Sequence, residues 1–396
     1  MISHRLQFHN RPMGYAAFGA VLSVVLAGVA PVWLLLVMCA ILVPITAFLF
    51  HRRNSGFLLT ATVLLMLIRI VWIPTELPKD GALMSFLNNL RNGLKSSADL
   101  LFRDEAATAK GMLLGDVSGL NEQQYTRFSE AGLLHLFAIS GLHVTLLTGT
   151  LGKLVRTRNR ALSLTMLTLF LLFFCAVTEF SSSVLRASFM LIAIRLSRMR
   201  ERQVDMPSVF CFALAMTLLC EPFSLYRVGF QLSFAAAGGL ILLGDAFRKP
   251  FRKVMPNSKI ITALTSSTAA IVGMLPVMAA HFGELAWVSI PFSILLIPTM
   301  PVILLFGFAS VIFYGVFPHV ATILSYPAYG AIKLLTLATN LLDVPLLRIP
   351  GPHPIVIILY YVSLILCSKL YLRNAKHPPW IGLGLLMTTI VLWFIL

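Results

Sequence analysis

The chain has 396 residues, 58% of them hydrophobic and only 12% charged, with a mean hydropathy of +0.88. A soluble protein of this size carries about a quarter charged residues, so a water-soluble enzyme is excluded. The formal charge of +16, from 31 Lys and Arg against 15 Asp and Glu, would suggest nucleic acid in a soluble domain. In a membrane protein Lys and Arg first of all gather in cytoplasmic loops and set orientation, so topology has to account for them before any ligand does.

At the N-terminus Arg5 and Arg11 precede an apolar run that resembles a signal peptide. Pro31 would follow the small residues Ala27–Ala30 at a cleavage point, and apolar sequence resumes at once, so the run reads as a retained first helix. Apolar stretches then fall near 14–30, 32–50, 57–74, 131–152, 161–179, 183–197, 206–220, 226–245 and 260–281. A Pro-interrupted stretch at 286–317 follows, then 320–342, 354–372 and 379–396. About 20 helical residues cross a hydrocarbon slab, so the expected fold is an all-α polytopic membrane protein with roughly 11–13 membrane segments. Pro291, Pro298 and Pro301 predict a broken or re-entrant helix among them. With the N-terminus in the cytoplasm, the inside loops 1–13, 51–56, 153–160, 195–205, 246–259 and 373–378 hold 19 of the 31 Lys and Arg. Orientation therefore accounts for most of the positive charge.

The long non-membrane region, 75–130, falls outside by the same alternation and separates the N-terminal transmembrane helices (1–74) from the central segments (131–345) and the C-terminal ones (346–396). Within it Leu83, Phe86, Leu87, Leu90, Leu94, Ala98 and Leu101 recur at helical spacing. Two readings stay open: a helix lying at the membrane interface, or one packed on the bundle. Arg91, Lys95, Lys110 and Arg127 in this region are candidates for an external funnel that attracts phosphate.

The stretch Leu133–Thr150 places His135, Ser140, Gly141 and His143 inside one apolar run. On a single helix the two histidines, eight residues apart, would share a face, about 80° from one another. These groups either bond neighbouring helices or line a polar path; a Ser140 nucleophile with a His base is a third, hydrolytic reading. Arg186 follows three serines near the outer end of the next but one segment, with Glu179 close in sequence. A central Arg costs about 2.5–3.5 kcal/mol on insertion scales, so it either snorkels or lines a polar mouth. Gln231 and Ser233 form the next small polar cluster, and Lys333 is too central to snorkel easily, which predicts a water-facing or amphipathic helix. The cysteines (Cys39, Cys175, Cys211, Cys220, Cys367) read as buried thiols, with neither a metal site nor a disulfide framework. No Walker A sequence occurs, and no cofactor is implied.

The runs AKGMLLGDVSGL (Ala109–Leu120) and FSEAGLLHLFAISGLHVTLL (Phe128–Leu147) resemble the central signature of the ComEC family of competence proteins. Similar stretches follow in the family's order at Ser181–Met190, Glu221–Phe234 and Leu275–Pro301. The resemblance implies an inner-membrane channel that admits single-stranded DNA during natural transformation. It implies a path through His135, Ser140, Gly141, His143, Arg186 and Gln231. Longer members carry an OB-like and a metallo-β-lactamase-like domain; neither has a counterpart in this sequence, so the expectation is a transmembrane core without catalysis. Inward movement of DNA against a negative interior needs an energy source. The expected partners are therefore an external DNA receptor and a cytoplasmic ATPase, the latter docking on Arg198, Arg200, Arg248, Lys249, Arg252 and Lys253. Intramembrane serine hydrolysis and transport of small anionic or lipid-phosphate substrates remain the alternatives.

Overall fold

A computed structural model describes residues 12–29, 42, 55–72, 82–137, 139, 141–154, 159–201, 203–251, 258–285, 289–341, 347–368 and 379–395. The described chain is a succession of helices, joined once by a two-residue antiparallel bridge in which Glu284 faces Arg348 and Leu285 faces Leu347. They are α1 (Pro12–Val29), α2 (Ser55–Trp72), α3 (Ala82–Phe102), α4 (Ala106–Leu114), α5 (Glu122–Glu130), α6 (Gly141–Leu154), α7 (Arg160–Val177) and α8 (Ser182–Met199). Then come α9 (Met206–Cys220), α10 (Val228–Arg248), α11 (Lys259–Phe282), α12 (Ser289–Phe313), α13 (Pro318–Asn340), α14 (Pro354–Cys367) and α15 (Pro379–Ile395). Four stretches among the described residues are long and apolar enough to cross a membrane: 160–177, 228–248, 260–282 and 318–340. The molecule is an all-α polytopic membrane protein.

Polar residues punctuate this apolar chain by accepting from the first backbone N–H groups of the helices they precede. Asn121 forms a capping box with Gln124 at the start of α5; Asn159, Asp205 and Ser258 cap α7, α9 and α11. The apolar faces then meet in three main clusters. The largest unites α3, α4, α6, α7, α8, α12 and α13 around Phe102, Met112, Leu133, Val184, Leu304 and Ile332. A second joins α10, α11, α14 and α15, and a third joins α1, α2, α9 and α10. Helix α10 thus belongs to both smaller clusters and faces the large one across α8.

The closest helix crossing is α10 on α11. A Cβ on Gly239 would lie 2.4 Å from the Ala269 carbonyl oxygen, and one on Gly273 would lie 2.5 Å from that of Ala235. Each helix offers a small residue, three intervening positions and a glycine, the arrangement by which membrane helices bring their backbones together.

The region 82–130 packs on the bundle. Ala98, Leu101 and Phe102 of α3 and Met112 and Leu113 of α4 sit in the largest cluster, and Leu90 and Leu94 pack against it, whereas Phe86 stays 62% exposed. The apolar run at 131–152 is not one helix. Leu134–Leu136 is a single 3₁₀ turn after the left-handed Gly132, and α6 begins only at Gly141. The Pro-rich run is the opposite case: α12 continues through Pro298 and Pro301 without a break. Pro291 falls in its first turn, where a missing N–H costs nothing. Lys333 lies on a polar stripe of α13, within 3.9 Å of Asp104 and 3.3 Å of the Tyr329 hydroxyl, which itself donates to Asp104. Among the cysteines Cys175 is buried, but Cys220 is exposed at the end of α9, while Cys39 lies outside the described residues.

Candidate functional site

Arg186 stands in the second turn of α8, where the large cluster meets α10. Its Nε donates to the Ser233 hydroxyl of α10 at 2.8 Å, and its guanidinium lies 5.9 Å from the centre of the Phe234 ring. On the other side it faces the first residue of α6: a Cβ on Gly141 would come within 3.3 Å of Nη2. Among the described residues no carboxylate pairs with Arg186, and neither Nη has a hydrogen-bond partner. Glu179, its neighbour in sequence, turns instead to Arg91.

Two residues before Ser233, the Gln231 amide donates to the Leu225 carbonyl at 3.0 Å. Its Oε1 lies 2.8 Å from His281 Nε2 on α11, so the ring nitrogen is the donor in that pair. Two residues apart on α10, Ser233 and Gln231 point to different sides of the helix, one to Arg186 of α8 and the other to His281 of α11. The structure thus brings together two residues that the sequence singled out, Gly141 and Arg186, with Ser233, and places Gln231 in a separate pair with His281.

The two histidines of the signature run are separated, because helix α6 starts between them. His143 is fully buried, and its Nε2 lies 2.8 Å from the Met112 carbonyl oxygen. The next backbone N–H able to serve that carbonyl, from Asp116, goes to Lys110 instead. His143 therefore supplies the donor that the end of α4 lacks. His135 is exposed, its Nδ1 held 2.8 Å from the Gly132 carbonyl. Ser140 lies outside the described residues.

Each of the four external funnel candidates has a carboxylate partner. Arg91 pairs with Glu179 and also donates Nε to the Val177 carbonyl at 3.0 Å. Lys95 meets Asp116 at 2.7 Å, Lys110 meets Asp99 at 2.7 Å, and Arg127 stands 3.9 Å from Glu130. Lys95, with the Ser118 hydroxyl and N–H, lowers the Asp116 carboxyl to about 2. Arg91 also steadies a strained hairpin, since Glu179 and Phe180 both hold left-handed backbone at φ 53° and 54°.

At the opposite helix ends, Arg198 and Arg200 are exposed at the close of α8, and Arg248 and Lys249 at the close of α10. Basic residues there also complement the negative ends of the helix dipoles. Arg252 and Lys253 lie outside the described residues. No cluster of three His, Cys, Asp or Glu among the described residues is placed to hold a metal ion.

Comparison with known proteins gives a consistent answer. The family model described as "Competence protein" matches residues 112–374. ComE operon protein 3 of Bacillus subtilis (strain 168) is 29% identical over 308 residues, which is 75% of this chain and 38% of that protein. Competence protein ComA of Neisseria gonorrhoeae is 30% identical over 161 residues, 38% of this chain and 23% of that protein. The chain thus spans less than two fifths of the length of either relative. No solved structure matches it.

Proposed function

Because the chain belongs to the competence protein family, we propose that it conducts single-stranded DNA across the bacterial inner membrane during natural transformation. The observation that carries this reading is the guanidinium of Arg186, held among three helices with no carboxylate partner among the described residues. A cation inside a membrane bundle is costly and is retained where it meets a charged substrate. Every phosphate of a DNA strand offers such a charge. With the N-terminus in the cytoplasm, α6, α8 and α10 all run inward. Arg186 then stands toward the outer side, and the basic ends of α8 and α10 stand inside.

Each negative charge moved inward costs about 2.3 kcal/mol per 100 mV, so the strand is driven by a partner. A cytoplasmic ATPase docking on Arg198, Arg200, Arg248 and Lys249 fits this need, with a separate receptor delivering DNA from outside. In this reading the chain itself carries no catalytic step.

The test is a deletion strain complemented with wild-type protein or Arg186→Gln. Chromosomal transformation and nuclease-protected labelled DNA are followed, with protein level checked by immunoblot. Loss of transformation by both the deletion and the variant, with protected DNA held outside the inner membrane, is expected. Full transformation by an Arg186→Gln protein present at normal level would refute the reading. The same cation also suits small anions; uptake of labelled phosphate that depends on this protein, with DNA import unaffected, would favour an anion transporter instead.

A further inference from the structure

We infer that Arg186, together with the start of α6, forms a seat for a single phosphate diester and reads no base. This rests on the DNA-import reading for the identity of the ligand, while the existence of the seat rests on geometry alone.

The start of α6 and the second turns of α8 and α10 meet at one guanidinium. Gly141, the first residue of α6, lies against Nη2. Ser233, in the second turn of α10, accepts from Nε. Arg186 is the fifth residue of α8, and side chains on a helix lean back toward its N-terminal end. A helix start presents unpaired N–H groups and about half a positive charge. The α6 start beside a fixed cation is a repulsive pairing that an anion would relieve.

The starts of α8 and α10 are also left open by their own sequence. Ser181 occupies the cap position of α8, yet it makes no capping bond, and its hydroxyl is buried with no partner among the described residues. Arg227 occupies the cap position of α10, and it too makes no capping bond. At the other helix starts described above, Asn121, Asn159, Asp205 and Ser258 fill that role.

The guanidinium is oriented for an oxyanion. Ser233 engages Nε and Phe234 stacks near the plane, which leaves the two Nη groups as a fork for two oxygens. Phe234 is itself packed against Phe230 and Phe210, at centroid distances of 4.5 and 5.6 Å, so its ring is not offered to a nucleobase. Recognition here falls on the backbone, and contacts to phosphate carry no sequence information. A side chain at Gly141 would crowd Nη2, its Cβ standing 3.3 Å away.

The full chain, purified in lipid nanodiscs, is to be melted in sodium phosphate and in sodium chloride of equal ionic strength. Binding of a fluorescent single-stranded oligonucleotide is compared with binding of the same sequence carrying uncharged methylphosphonate linkages. The expected result is a phosphate-specific rise in melting temperature and at least tenfold weaker binding of the uncharged strand. Arg186→Gln should abolish the rise and weaken the charged strand tenfold; Gly141→Ala should weaken it several-fold. Arg186→Lys keeps the charge without the fork and should fall between. If Arg186→Gln does not fold, Gly141→Ala and Arg186→Lys carry the test. A phosphate response unchanged in these variants would overturn the seat. A phosphate response lost in the variants, with DNA import intact in cells carrying them, would leave the seat standing and overturn the DNA-import reading.

Discussion

Replacing Gly273 with alanine tests whether the α10–α11 crossing sets the Gln231–His281 pair. The added Cβ would stand 2.5 Å from the Ala235 oxygen, 2.7 Å from Gly239 Cα and 3.0 Å from Gly239 N. All three are backbone atoms, so no side chain can rotate out of the way. Favourable carbon contacts lie at about 3.5–4.0 Å, so the helices must part by roughly 1 Å along this stretch. Overpacking of this kind costs about 1–3 kcal/mol. Alanine favours helix over glycine by up to about 1 kcal/mol, which would mask part of the loss. Gly238→Ala carries the same gain, but its Cβ would meet only Phe210 Cζ at 3.8 Å, an ordinary contact. The difference between the two variants therefore isolates the crossing. Thermal unfolding in one detergent should show Gly238→Ala at or above wild type and Gly273→Ala below it, by the equivalent of about 1–3 kcal/mol. Equal tolerance of the two would refute the close crossing, and with it the placement of Gln231 against His281.

Three further outcomes follow from single groups. His143→Ala should cost about 2–4 kcal/mol, from the buried Met112 carbonyl left unpaired and the cavity beside it, and His143→Gln should recover part of the melting temperature. Labelling of the wild-type protein, but not of His143→Ala, by a serine-directed probe would instead support the hydrolytic reading. Arg91→Ala removes the donors to Val177 and the partner of Glu179 at a strained turn, so it should lower stability by about 1–3 kcal/mol and raise hydrogen exchange around residues 177–181. The Asp116 carboxyl is lowered from 3.8 to about 2 by Lys95 and Ser118, so its contribution is present above about pH 4 and fades as pH falls toward 2. Because the pair is partly exposed, that contribution is about 1 kcal/mol, and Asp116→Asn should remove this acid-side step from a stability profile.

Much of the fold was legible because apolar run length and polar punctuation agree. Asn159, Asp205 and Ser258 stand where the apolar runs begin, and each caps a helix. The run at 131–152 misleads because hydropathy is continuous across it, while Gly132 after the short helix α5 is a stop signal that hydropathy does not register. Pro298 and Pro301 mislead in the other direction, since a membrane helix packed among others tolerates proline. Arg186 was visible as a cation in an expensive place. Its partner Ser233 was not, nor was the pairing of Gln231 with His281, because those contacts join residues 47 and 50 apart with no local pattern to announce them. The ion pairs of Arg91, Lys95 and Lys110 were hidden for the same reason. Composition counts their charges, but only packing shows that Glu179, Asp116 and Asp99 answer them.

That pairing changes how positive charge is distributed over the molecule, and the salt dependence of DNA binding measures it. For a single strand, log K falls with log salt at a slope of about −0.7 per phosphate neutralised. Were Lys95 and Lys110 free, losing both would flatten the slope by about 1.4. With Asp116 and Asp99 already 2.7 Å away, they release few counterions from DNA, and Lys95→Gln with Lys110→Gln should change the slope by much less. Arg186 has no such partner among the described residues, so Arg186→Gln alone should flatten it by about 0.7. Titrations of a labelled oligonucleotide between low and moderate salt separate the two cases. A drop near 1.4 for the lysine pair, with none for Arg186, would move the DNA contact to the external segment. The predicted pattern would instead concentrate recognition at one cation between helices. For DNA to pass such a site, each phosphate would have to leave as the next arrives, so a weak contact at Arg186 would suit conduction better than a tight one.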